Sequence, residues 1–275
     1  MSTPGARSGA GAPLPAVAGA FEFLNGWADR ILVVSLTRAT ERRERARERL
    51  SGLDFHFLDA VDKLGLDRER LLRDGIYDER KTPNAFRHRA DMPLGHIGCS
   101  LSHRAIYELI LKNGWRRTLV LEDDVVPLPD ALELLPAALS QLPRSWELCY
   151  LGYLGNAAVT TRARLKQALY MALAPLGLVR WRPCETLRLL PRPFSTNLRR
   201  AGRHLCTHAY AVTLEGARKL LAAQTPVAFN ADQLLAFLVL RGQVEAFVTQ
   251  PAFFDQETLA GISPGRDAPA SYIHG

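Results

Sequence analysis

The run Thr118-Leu119-Val120-Leu121-Glu122-Asp123-Asp124 constrains this chain more than any other stretch. A short apolar segment of this kind reads as a buried strand. Three adjacent acids at its end repel one another and lose hydration unless a cation or basic side chains compensate. Side chains alternate along a strand, so Glu122 and Asp124 leave on one face and Asp123 on the other. Ligands of open α/β sheets gather beyond the carboxyl ends of the strands, where this triplet falls. Hard oxygen donors on one face suit Mg²⁺ or Mn²⁺, either of which also holds a diphosphate. The competing reading is an acidic loop, or a cap for the next helix, with Pro127 and Pro129 ending the strand.

The flanking sequence supplies the rest of such a sheet. Ile31 to Leu36 reads as a strand, and Thr40 then caps a charged helix reaching Leu50. Asp54 to Ala60 is a second strand, and residues 62 to 92 are polar and irregular. A helix opens near Gly95–Gly98 and runs to about Lys112, and another spans about Asp130 to Gln141. Glu147–Leu151, Thr207–Thr213 and Val244–Gln250 read as strands, and Leu214–Ala223 and Ala231–Arg241 as helices. Strands alternating with helices predict an α/β fold, a mainly parallel sheet flanked by helices on both faces.

Composition excludes the non-globular classes. Of 275 residues 47% are hydrophobic and 23% charged, and 17 prolines interrupt any long rod. No apolar run reaches the ~18 residues of a membrane span. Residues 1–25 read as a disordered leader rather than a signal peptide, residues 26–260 as the folded domain, and 261–275 as a flexible tail. Cys99, Cys149, Cys184 and Cys206 form no C-x-x-C pair, which fits reduced thiols in a cytoplasmic protein.

Charge is concentrated. Between Gly155 and Leu205 lie ten of the 35 basic residues but only one of the 28 acidic ones, Glu185. That stretch carries +9, and the rest of the chain −2. A nucleic-acid partner would call for a basic face built into the fold; a local basic segment points instead to an anionic surface or substrate. Its apolar run Leu165 to Leu173, with Trp181 between Arg180 and Arg182, suits a peripheral contact with an anionic membrane; the competing reading is that the apolar part packs into the core and the arginines are solvated.

Four ordered blocks resemble glycosyltransferase family 25, which includes lipopolysaccharide-type galactosyltransferases. They are Val34-Ser35-Leu36 with Glu41-Arg42-Arg43; Gly98-Cys99-Ser100-Leu101-Ser102-His103; Leu119 to Val125; and Thr207-His208-Ala209-Tyr210 before Gly216-Ala217. Weaker echoes are Phe57 to Val61, Ala231 to Leu235 and Pro251 to Gln256. The resemblance implies a GT-A-like, Rossmann-like fold and a metal-dependent inverting transfer. The sugar, in the first instance galactose from UDP-galactose, would pass to a glycan or glycolipid acceptor such as lipopolysaccharide. It also implies that Glu122-Asp123-Asp124 plays the part of a D-x-D motif and supplies the metal's acidic ligand set: Asp124 ligates the ion, Glu122 reaches it through water or touches the ribose, and Asp123 is counted with them while supporting the turn. The divalent ion neutralises charge on the departing diphosphate. Cys206 stands where the family often has glycine, and the basic stretch is poorly matched.

Further candidates follow from the same blocks. Ser35, Arg42 and Arg43 follow the first strand, where a base and diphosphate commonly lie. Asp59, at the end of the second, suits a ribose hydroxyl. Gly98 permits close backbone approach at a helix start favourable to phosphate, and Ser102 and Thr207 belong to donor-side blocks. His103, which follows His96 by seven residues, is placed in the active site by its block. His208 and Tyr210 read as packing. Asp255 and Gln256 are late metal or sugar contacts. An inverting transfer needs a base for the acceptor hydroxyl, and Asp232 is the candidate; the alternative is a charge at a helix N-terminus. Two other functions compete: a non-enzymatic module binding anionic lipid or glycan through the basic segment, and a metal-dependent phosphoryl hydrolase, for which no second His/Asp cluster is evident.

Overall fold

A computed structural model describes residues 15–81, 92–155, 159–258 and 260–261. The strands are β1 (Arg30–Ser35), β2 (His56–Asp59), β3 (Arg117–Glu122), β4 (Val125–Pro127), β5 (Leu148–Leu154), β6 (Arg192–Pro193), β7 (Leu198–Arg200), β8 (Leu205–Thr213), β9 (Ala246–Thr249) and β10 (Phe254–Gln256). The helices are α1 (Pro15–Trp27), α2 (Thr40–Arg49), α3 (Arg68–Arg73), α4 (Leu94–Asn113), α5 (Pro129–Leu132), α6 (Leu135–Ser140), α7 (Thr161–Leu173), α8 (Pro183–Leu187), α9 (Leu214–Ala223) and α10 (Ala231–Arg241).

Eight strands form one sheet in the order β2-β1-β3-β8-β5-β9-β7-β6, and β4 pairs with β10 apart from it. β1 runs parallel to β2 and β3, and β5 parallel to β9. β8 runs antiparallel to both neighbours, β3 and β5, and β7 antiparallel to β9 and β6. The sheet is therefore mixed, with β8 and β7 reversed against the common direction, on the α/β plan the sequence predicts.

Period-two burial explains why helices cover both faces. Leu119 and Leu121 of β3, Cys149 and Leu151 of β5, and Ala209 and Ala211 of β8 point to a core closed by α1, α5 and α6. Val120, Leu148, Tyr150, Tyr210 and Val212 point to the other, closed by α4, α9 and α10. The same parity decides where the acids go. Asp123 shares the face of Leu119 and Leu121, and Glu122 shares the face of Val120.

Several expectations are corrected. The leader is not disordered as far as residue 25. Residues 15–27 form α1, whose Val17, Ala20, Phe21 and Leu24 are buried at helical spacing, and Trp27 stacks on Trp146 at 5.7 Å. Burying a Phe or Leu side chain contributes ~1.5–3 kcal/mol, enough to order a short Ala/Gly-rich segment. Residues 1–14 and 262–275 lie outside the described residues. Thr40 is the first residue of α2 rather than its cap, because Ala39 holds that position and no side chain caps it. The helix expected over 130–141 is two short ones, since Pro136 near the start of α6 lacks the N–H that a continuous helix needs. Trp181 is 6% exposed and sits in the core with Leu189 and Ala201, not at the surface. All four cysteines are free thiols.

Candidate active site

β3 ends at Glu122, and Asp123-Asp124 form the turn into β4. The reversed strand β8 begins at this same edge of the sheet, as does the segment leaving β5, because Leu121 lies opposite Ala209 and Leu154 opposite Leu205. The first turn of α10 also reaches this edge. Asn230 caps it, and Asp232 in that turn accepts a hydrogen bond from the Cys206 backbone N–H at 3.3 Å. The neighbouring Thr207 hydroxyl donates to Glu122 at 2.6 Å. Two consecutive residues of β8 thus tie α10 to the end of β3.

The three acids have different surroundings. Asp123 is buried and both its oxygens are taken, one by the Ser35 hydroxyl at 2.6 Å and the other by Arg42. That corrects its assignment as a metal ligand: it anchors the turn. Glu122 accepts from Thr207 and, at 3.4 Å, from the Gln256 amide. Burial, then the negative charge of Asp124, push its carboxyl up to about 8. Asp124 is raised chiefly by burial, opposed by Arg42 at 3.5 Å. Its Oδ1 is buried without a hydrogen-bond partner, and so is Oδ1 of Asp232. Cys206 feels all three of Glu122, Asp232 and Asp124; with burial as the largest cause, they push its thiol up to about 12.

A divalent ion fits this donor set in a particular way. Among the described residues no three His, Cys, Asp or Glu side chains form a cage by themselves. One or two carboxylates sharing the ion with diphosphate oxygens and water is the usual manner of Mg²⁺ at phosphate sites. The partnerless Asp124 oxygen and the raised carboxyls are what a cation beside them would satisfy.

Helix α2 does more than expected of it. Arg42, Arg45 and Arg49, spaced three and four residues apart, share one face. Arg42 grips Asp123, while Arg45 (3.1 Å) and Arg49 hold Glu257. Glu257 is 4% exposed, and its N–H donates to the Asp124 carbonyl at 2.9 Å. Sequence reasoning missed Glu257, Arg45 and Arg49; the signal available was that shared helix face. Arg43 donates to the Ser35 carbonyl at 2.9 Å and to Asp59 at 2.5 Å. The bonds from Arg43 and Thr37 lower the pKa of Asp59, which remains open to solvent at the same edge. Asp255 accepts from the Gln256 N–H at 2.8 Å.

Three further expectations are corrected. Gly98 lies inside α4, not at its start, and its close neighbour is the chain's own Val61 carbonyl, 2.7 Å from where a Cβ would be. Ser102 receives the Val61 N–H at 2.9 Å and donates to the Gly98 carbonyl at 2.7 Å. Both fix the loop after β2 rather than meeting a ligand. His103 is 1% exposed, with Nδ1 at 2.8 Å from the Tyr210 hydroxyl, and burial lowers its pKa to about 4. It belongs to the packing between α4 and β8, where the ring is buried against Tyr210. Cys206 has φ of 71°, in the left-handed region that favours glycine.

Known proteins give this geometry a context. The sequence profile of glycosyltransferase family 25 (LPS biosynthesis protein) matches residues 28–235. A "Glycosyltransferase 25 family member" of Drosophila melanogaster is 32% identical over 71% of this chain and 28% of its own length. Its counterpart in Anopheles gambiae is 31% identical over 70% of this chain. A human relative, "Inactive glycosyltransferase 25 family member 3", is 31% identical over 71% of this chain and 29% of its own. The chain thus spans under a third of the length of these curated relatives.

Proposed function

This chain belongs to glycosyltransferase family 25, and from that premise we propose that it is an inverting, metal-dependent hexosyltransferase. Its donor is a nucleotide diphosphate sugar, UDP-galactose first, and its acceptor is a glycan such as lipopolysaccharide or a related glycolipid. It works in the cytoplasm; among the described residues no helix is long and apolar enough to cross a membrane.

The observation that carries this reading is the pair of buried carboxylate oxygens without partners, Asp124 Oδ1 and Asp232 Oδ1, on two elements that meet at one sheet edge. Asp124, with Glu122 beside it, would hold Mn²⁺ or Mg²⁺. When bound, the ion neutralises charge developing on the diphosphate leaving group. Ser35 and Arg42 keep the Asp123-Asp124 turn in place, and Asp59 is positioned for a ribose hydroxyl. Asp232 is oriented by its bond from the Cys206 N–H, which leaves Oδ1 to take the proton of the attacking acceptor hydroxyl.

The test is a panel of nucleotide sugars with and without Mn²⁺, scored by donor hydrolysis, which requires no knowledge of the acceptor. Metal-stimulated hydrolysis of one donor is the expected result. No binding and no hydrolysis of any donor would instead support a non-enzymatic module, a role compatible with relatives named inactive.

A further inference from the structure

Helix α7 turns its apolar side outward. None of its residues is buried. Its inner face is Ala163, Gln167 and Tyr170, and the Gln167 amide donates to the Thr186 and Leu187 carbonyls at 2.8 and 3.3 Å, which fastens α7 against α8. On the opposite face, at spacings of four and three, lie Leu165, Leu169 and Ala172, and Leu176 follows in the 3-10 turn that ends the helix. The three leucines are 68%, 56% and 69% exposed, and Leu178 beyond them is 67% exposed. Globular helices bury such a stripe, and an exposed cluster of this kind marks a contact surface.

The charges around the stripe identify what it contacts. Arg162 and Lys166 flank it on one side and Arg164 on the other, all exposed. No acidic residue occurs between Gly155 and Cys184, and the next one, Glu185, is buried against Arg241 at 3.0 Å. An apolar strip edged only by cations matches the interface of an anionic bilayer, where leucines enter the acyl boundary and basic groups meet phosphates.

We propose that α7, with the turn through Leu178, is a membrane-docking element that lies flat on an anionic lipid surface. The proposal rests on α7 alone and does not depend on the transfer reading. It also locates the surface: the segment bearing α7 leaves the sheet where β5 ends, beside the start of β8 at the edge that carries Glu122. The Trp181 contact expected from sequence is replaced by the α7 stripe, because that ring is buried.

Co-sedimentation of the full chain with phosphatidylcholine vesicles, with and without 30% phosphatidylglycerol at low and high salt, tests it. Binding to the anionic vesicles alone, weakened at least tenfold by high salt, is expected. Leu165→Gln/Leu169→Gln and Arg162→Gln/Arg164→Gln/Lys166→Gln should each reduce it at least tenfold, with melting temperatures unchanged because none of these side chains is buried. Failure to bind anionic vesicles at low salt would overturn the proposal, as would wild-type binding by both variants. Light scattering supplies the other overturning result: a lipid-free dimer that the leucine substitutions dissociate, meaning that a second copy covers the stripe.

Discussion

The acid-bearing sheet edge and the basic arm over residues 159–205 have opposite designs. At the edge, polar groups are buried and paired within the fold: Asp123 between Ser35 and Arg42, Glu257 between Arg45 and Arg49, Glu122 against Thr207. In α7 of the arm, apolar groups are exposed and the charges face water. Against these paired carboxylates, the two buried carboxylate oxygens left without partners are informative, Asp124 Oδ1 and Asp232 Oδ1. In the arm the exception is apolar. Each region is incomplete in the chemistry of what it would bind, a cation with phosphate at one and a lipid surface at the other.

The contrast can be broken by substitution. The largest effect is expected at Asp232. Asp232→Asn keeps the size of the side chain but removes a base, so transfer to a true acceptor should slow ~10²–10⁴-fold while donor affinity is unchanged. Wild-type turnover would leave Asp232 as a helix-terminal charge only.

Next is the tightness of the edge. A Cβ at Gly152 would lie 2.2 Å from His208 Nε2 and 2.7 Å from the Phe254 carbonyl oxygen. Gly152→Ala should cost ~1–3 kcal/mol in denaturant unfolding; an unchanged midpoint would mean that β5 and β10 give way easily.

Acid should weaken the buried framework, including His204 where the arm returns to β8, before it affects the exposed helix α7. Burial, as the main cause, holds His103, His204 and His208 each near about 4, below the ordinary 6.5. Below 6.5 the unfolded chain takes up protons that the folded chain refuses. Their contribution is therefore complete above about 6.5 and is lost progressively toward about 4, at up to ~1.4 kcal/mol per histidine per pH unit. Urea midpoints measured from pH 7.5 to 4.5 should fall across this window; a flat profile would count against neutral buried imidazoles.

The smallest effect is a gain. Cys206→Gly removes a Cβ from a left-handed backbone and should stabilise the fold by about 1 kcal/mol while keeping the N–H that Asp232 uses. A loss in thermal unfolding would mean that the thiol's packing outweighs the strain.

What was legible in the sequence follows from how local each signal is. The β3 acids, α9 and α10 announce themselves by periodicity and by composition at their ends. The departure from glycine at Cys206 already marked the position where φ is positive. The first turns of α1 gave no contrast, because Ala and Gly look alike on either face of a helix and only Phe21 and Leu24 reveal the docked side. Gly98 and Ser102 sit in a block that resemblance assigns to the donor, yet Val61, against which both are fitted, is 37 and 41 residues away in sequence. Which way α7 faces was not legible at all, since a leucine stripe has the same period whether it points inward or outward.

The account rests most directly on the acidic turn, and calorimetry of UDP-galactose binding in Mn²⁺ measures it. Wild-type protein should bind the donor with Mn²⁺ and lose most of that affinity without it. Asp124→Ala should unfold as cooperatively as wild type and show no metal-supported binding. Undiminished binding by Asp124→Ala would contradict the assignment of this edge as the site of metal and diphosphate.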